Sequence, residues 1–153
     1  MWVAPEIWRL INGPWSRSGE EVRCSKLRAN LESFVMGEAI TVCTRPYEAD
    51  EAFLGFLDSP SQSVWDIRSR EPNPGIRLLG HFIGRNQFVA LIAASRSKVI
   101  PYIPRGPLGD RDSEEWRRAI SDCEGEFRRL FSPFEPLKGD QIHDLLGEPY
   151  HSE

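Results

Sequence analysis

The sequence predicts an α+β domain: a small, mostly antiparallel twisted sheet, N-terminal helices packed on one face, and one long C-terminal helix. Three observations carry that prediction. Residues 64–98 contain three consecutive segments of strand character separated by turn residues. Residues 113–131 repeat apolar side chains at spacings of three and four. The 153 residues, 40% hydrophobic and 27% charged, suffice for one core without disulfides or metal. A single domain over 1–153 is expected, with its core at about 25–131 and a Pro/Gly-rich tail at 132–153.

The elements follow in chain order. EIWRLI (6–11) is expected as a short first strand, closed by the Gly, Pro and Ser of GPWSRSGE. Leu27, Leu31, Phe34 and Val35 share a helical face over about Ser25 to Met36, and Gly37 suits the left-handed position that ends a helix. The β-branched AITVCT (39–44) reads as a strand ended by Pro46. Phe53, Leu54 and Leu57 give residues 48–58 a helical pattern, opened by acids that complement a helix dipole.

Next comes the sheet segment. In VWDIRS (64–69), Trp65 and Ile67 share one face while Asp66 and Arg68 share the other, as in a half-buried strand. EPNPG is strong turn chemistry. In GIRLLGHFI, Ile76, Leu78, Gly80 and Phe82 read as core. Arg77, Leu79, His81 and Ile83 mark a face that is partly covered or lines a groove. GRN (84–86) is a hairpin connection, and QFVALIAA is apolar on both faces, as a buried central strand should be. IPYIPRGPLG (100–109) reads as an irregular connector.

Trp116, Ile120, Cys123, Phe127 and Leu130 form the stripe of the long helix, from about Ser113 to Phe131. Asp112 three residues before Glu115 resembles a capping box. Arg117, Arg118, Arg128 and Arg129 alternate with acids on its solvated face. DQIHDLL suggests one short helical turn in the tail.

Several function classes lose their support at this level. There is no phosphate-binding glycine loop, no dinucleotide fingerprint, no H-E-x-x-H and no G-x-S-x-G. Cys24, Cys43 and Cys123 are odd in number and widely spaced, so free structural thiols are expected, with no metal site and no cofactor. No apolar run could span a bilayer, and the N-terminus lacks the pattern of a signal peptide. A cytoplasmic protein without a membrane partner is the expectation.

What remains is cationic. The net charge is −4, yet from Pro60 to Gly106 seven cations face two acids, whereas residues 107–153 carry six cations against twelve acids. Such asymmetry bears on partners rather than fold. Either the basic sheet is a platform for a polyanion, with RNA the first candidate, or the two segments neutralise each other.

Metal-free RNA cleavage needs a base, an acid and fixed positive charge for the phosphorane-like transition state. His81 is the candidate acid or base, because an imidazole titrates near neutrality. Arg77 and Arg96 are the candidates for transition-state charge, since the guanidinium fork matches phosphate. Arg68, Arg70, Arg85 and Lys98 are the further nucleic-acid-binding candidates. A lone strand histidine is more often a satisfied structural residue. Asp66 and Arg68 point the same way and also suit a plain intrastrand ion pair of small energetic value. Trp65 reads as a core anchor.

The run Trp65-Asp66-Ile67-Arg68, then Gly75 to Phe82 with Arg77 at its centre, then Phe88 to Ile92 leading to Arg96 and Lys98, resembles the sheet core of the RelE/ParE/HigB toxin superfamily. The resemblance implies a helical N-terminal part before three antiparallel strands. It further implies cleavage of ribosome-bound mRNA or inhibition of gyrase, and neutralisation by an antitoxin protein wrapped around the toxin. By position, Arg68 and Arg77 would match the sheet arginines and Arg96 with Lys98 the basic end of the last strand. Three functions stay open on these grounds. One is a metal-independent mRNA endoribonuclease. Another is a non-catalytic protein- or nucleic-acid-binding module on the same fold. The third binds protein through the acidic C-terminal helix.

Overall fold

The chain opens with a two-residue strand, β1 (Trp2–Val3), followed at once by a helix, α1 (Pro5–Asn12), where a strand was expected over 6–11. Pro5 at the start and Gly13 at φ 71 just past the end frame it, and Ile7, Leu10 and Ile11 fall on one buried face. Six residues with apolar positions at this spacing suit either element, and the flanking signals decide for helix. The computed structural model describes residues 1–45, 51–57, 63–110, 113–139, 141–147 and 150–152.

Helix α2 (Glu20–Val35) begins about a turn earlier than expected and buries Cys24, Leu27 and Leu31, with Phe34 packed beside them; Val35 points outward. Strand β2 (Ile40–Cys43) lies where AITVCT predicted it. Leu54–Leu57 form strand β3 rather than part of a helix, and residues 48–50 and 58 of that expected helix lie outside the described residues. All four β3 residues are buried, so their pattern carries no period that could tell helix from strand. Strands β4 (Val64–Ser69), β5 (Ile76–Gly84) and β6 (Gln87–Ser95) follow as expected, joined by the 70–75 turn and by Arg85–Asn86. Asn86 takes φ 59, a conformation asparagine tolerates well.

Among the described residues these strands form one mixed sheet in the order β1-β6-β5-β4-β3-β2-β7, where β7 is Tyr150–Ser152. β3 to β6 are an antiparallel meander, and the pairings β1–β6, β2–β3 and β2–β7 are parallel. The α+β class is as predicted. The N-terminal helices share one face of the sheet, and the long C-terminal helix takes the other. Helices α1 and α2 cover the side that carries Trp65, Ile67, Leu78 and Phe82. Helix α3 (Glu114–Phe131) covers the opposite side, against Val64, Leu79, Val89 and Ile92.

Two physical facts require that cover. β6 is apolar on both faces, and a bulge turns Leu91 and Ile92 to the same side opposite Leu79. The α3 stripe of Trp116, Ile120, Cys123 and Phe127 meets that surface, each side chain contributing about 1.5–3 kcal/mol of burial at most. Leu130, its last expected member, stays exposed. The α3 N-cap is Ser113, whose hydroxyl accepts from the Trp116 N–H at 3.2 Å, one residue later than the expected Asp112. Arg118, Arg128 and Arg129 pair with Glu114, Glu124 and Glu126 on the solvated face.

The core also reaches beyond 25–131. Ala4, Ile7, Leu10 and Ile11 join it from one end, and Ile142, Leu145 and Leu146 from the other. The tail forms the short helix α4 (Ile142–Leu145) and clasps the sheet: the Leu137 N–H donates to the Phe82 carbonyl at 2.7 Å, and the Asn86 N–H to the Leu145 carbonyl at 2.7 Å.

Candidate functional site

Asp66, Arg68 and Arg77 share strand parity with Val64 and Leu79 on the α3 side of the sheet, and all three are buried. Arg68 and Arg77 are directly opposite across β4–β5, an arrangement that repels unless a carboxylate lies between. Asp66 supplies it. Its Oδ2 accepts from Arg77 Nη1 at 2.5 Å, and its Oδ1 and Oδ2 accept from Arg68 Nε at 3.0 and 3.2 Å. The side chains of Asp66, Arg68 and Arg77 are 0%, 4% and 7% exposed.

The Asp66–Arg68 intrastrand pair is therefore part of a buried ion cluster with Arg77. Gly55, which pairs with Asp66 across β3–β4, makes the space: a Cβ there would collide with the Arg68 guanidinium and come 2.7 Å from Asp66 Oδ1.

Arg77 also borders a cleft. At the end of the sheet where β4, β5 and β6 meet the 70–75 turn, a cavity of about 260 Å³ is lined by Arg70, Arg77 and Arg96 together with Glu51, Ser69 and Asn73. Arg70 and Glu51 are exposed, Arg96 is half-buried and Arg77 forms the inner wall. Arg96 is held from behind. Its guanidinium donates to the Gly109 carbonyl and its Cζ lies 6.0 Å from the centre of the Trp116 ring, at the outer limit of a cation–π contact.

The structure thus brings three of the seven sequence-selected residues, Arg70, Arg77 and Arg96, to one cleft, with Arg68 directly behind it. Lys98 is exposed in the loop after β6 and does not line the cavity. Arg85 is exposed in the β5–β6 turn at the other end of β5, about 26 Å from Arg77 at about 3.3 Å per residue. The sheet face itself is no platform, because helices cover both sides of it.

His81 sits four residues, about 13 Å, along β5 from Arg77. It is 1% exposed, its ring 4.7 Å from that of Phe127, and its Nδ1–H donates to the Ser63 carbonyl at 3.0 Å. That bond fixes the neutral tautomer with the lone pair on Nε2, which has no hydrogen-bond partner among the described residues. Burial pushes the imidazole down from 6.5 to about 4, against the Ser63 and Cys123 carbonyls and Glu124, which act the other way. His81 is a neutral core residue, apart from the arginine cleft.

The basic segment is partly neutralised inside the fold. Asp66 serves Arg68 and Arg77, and Arg105 lies 3.6 Å from Glu6 and 3.3 Å from Asp122. Sequence reasoning missed Glu51, Ser69 and Asn73 as cleft residues and Asp66 as the anchor of the cluster. A signal for the last was present: three charged residues in strands otherwise largely apolar, beside a strand that contains a glycine.

Among the described residues no group of histidine, cysteine, aspartate and glutamate side chains could hold a metal ion, and no helix is long and apolar enough to cross a membrane. No protein-family model matches this chain, and neither a curated protein nor a solved structure is detectably similar to it.

Proposed function

We propose that this protein is a non-catalytic RNA-binding module whose binding surface is the arginine-lined end of the sheet. The observation that carries the reading is the convergence of Arg70, Arg77 and Arg96 on one cleft, with Arg77 held in place by a buried carboxylate. A guanidinium fixed by an ion pair contacts phosphate with little further loss of freedom. Glu51 and Asn73 on the same wall suit RNA, because a carboxylate and an amide can bond a 2′-hydroxyl or a base edge where a phosphate would not. Cleavage is not part of the reading: the histidine suited to it is neutral, buried and about 13 Å away along the strand.

The test is fluorescence anisotropy of a labelled single-stranded RNA against salt. Three phosphate contacts, from Arg70, Arg77 and Arg96, predict a log–log slope of about −2, or roughly a 20-fold loss of affinity between 50 and 200 mM salt. Arg70→Ala should flatten that slope by about 0.7. A response flat in salt rejects RNA as the ligand. Expression in bacteria adds a check: growth arrest that Arg77→Ala relieves would restore the endoribonuclease reading.

A further inference from the structure

We infer that the groove between α1 and α2 is where a second copy of this chain docks, making a two-fold symmetric dimer. The groove shares no residue with the arginine cleft. It is a cavity of about 420 Å³ between Trp8 on α1 and Val35 and Met36 at the end of α2, with Ile11 and Leu31 as its buried floor.

Exposure is the first observation. Trp8, Val35 and Met36 are 59%, 58% and 79% exposed. Together they present on the order of 400 Å² of apolar surface around one groove, the size at which a patch on a soluble domain marks a contact. The apolar face that each helix needs for folding is already buried, in Ile7, Leu10, Cys24 and Leu27. The three exposed side chains add nothing to that core.

Charge selects the occupant. Arg28 and Glu32 stand one helical turn apart on the rim, with side chains 49% and 61% exposed. Within one copy Arg28 Nε donates to Glu32 Oε1 at 2.8 Å, which uses one donor of the guanidinium fork and one carboxylate oxygen. A two-fold axis passing between them sets Arg28 of each copy against Glu32 of the other, because in such a contact residue i meets j and j meets i. The same axis runs the two α2 helices antiparallel and brings Trp8 of both copies to the seam. One cation and one anion leave the rim neutral, so it has no preference for a polyanion or an acidic membrane. What it fits is a surface with the same pair in the opposite order, and this chain supplies it.

Size agrees. A standard interface takes about 800 Å² from each partner, about a tenth of the 8238 Å² that this chain exposes. The apolar patch covers about half of that area and leaves the remainder to a polar rim of Asn12, Arg28, Glu32 and the flanking helix turns, as in interfaces with an apolar centre.

Analytical ultracentrifugation of the full chain from about 1 to 200 µM tests the inference, since interfaces of this size begin at micromolar affinity. The mass should rise from 17.5 kDa toward twice that value. R28E and E32R each put like charges in contact twice across the axis and should weaken the dimer about ten-fold or more. An equimolar mixture of the two variants has opposite charges at both contacts and should recover the original affinity to within about three-fold. W8S should dissociate every combination, whereas R118E, on the exposed face of α3, should change nothing. All four sites are exposed, and far-ultraviolet circular dichroism checks that each variant keeps the fold. A chain that is monomeric throughout overturns the inference, whatever else the groove holds. A dimer that R28E and E32R leave intact is built on another surface and overturns it equally, as does a mixture that stays monomeric.

Discussion

Acidification should unfold this protein earlier than its carboxylates alone would dictate, because of His81. The imidazole is held neutral between the sheet and Phe127, with its value pushed down from 6.5 to about 4. In the unfolded chain it returns to 6.5 and binds its proton first as pH falls. The contribution to stability is therefore full above about pH 6.5 and is lost as pH drops toward 4, levelling below that. At about 1.4 kcal/mol per pH unit, the limiting loss is about 3 kcal/mol, of which about 2 kcal/mol is gone between pH 7 and pH 5.

Urea titrations at the two pH values provide the assay. With a slope of about 2 kcal/mol per molar, the midpoint should fall by about 1 M on going to pH 5. His81→Leu removes the titrating group and keeps an apolar contact with Phe127, so its midpoint should fall much less over the same interval. The carboxylates titrate alike in both proteins and cancel in the difference. An NMR titration of the His81 ring in the unaltered protein gives an independent reading of the same quantity. A ring midpoint at or above 6.5, or the same pH dependence in both proteins, refutes the reasoning.

Three further outcomes are expected. Asp66→Ala takes a buried carboxylate away from the Arg68 and Arg77 guanidiniums and should cost about 3–5 kcal/mol in urea unfolding; a loss below 1 kcal/mol would mean the cluster opens to water. Gly55→Ala drives a Cβ into the Arg68 guanidinium and should cost about 1–3 kcal/mol, with weaker RNA binding if the displaced Arg68 pulls Arg77 with it. Cys24, Cys43 and Cys123 are buried, with burial pushing the Cys24 thiol up to about 11 and the Cys123 thiol upward as well. Ellman's reagent at pH 8 should thus label none of them until urea is added, and rapid labelling of the folded protein would contradict the packing.

The strands from Val64 to Ser95 and helix α3 were legible because each is long enough to display its period. Trp65 and Ile67, then Ile76, Leu78 and Phe82, alternate as a strand requires, and Trp116, Ile120, Cys123 and Phe127 repeat as a helix requires. Residues 6–11 and 54–57 were misread because short apolar runs fit more than one period. The end signals of α1 were in the sequence, in Pro5 and Gly13. No equivalent signal marked β3, where burial on both faces erases alternation.

The candidate site divides the same way. The sequence alone determined which side of each strand Arg68, Arg77 and His81 occupy, since strand parity is local geometry. It also determined that Arg96 and Lys98 follow the end of β6. Whether that side met water was decided by the tertiary fold: α3, nearly twenty residues beyond β6, packs Phe127 on His81, and Asp66, Arg68 and Arg77 are buried on the same side of the sheet. Burial then fixed the chemistry. It neutralised His81, drew Asp66 between two guanidiniums, and left the cleft at the end of the sheet as the place where Arg70, Arg77 and Arg96 meet. Dielectric and distance act between elements remote in the chain, so only the tertiary structure could settle which of these charges a ligand can reach.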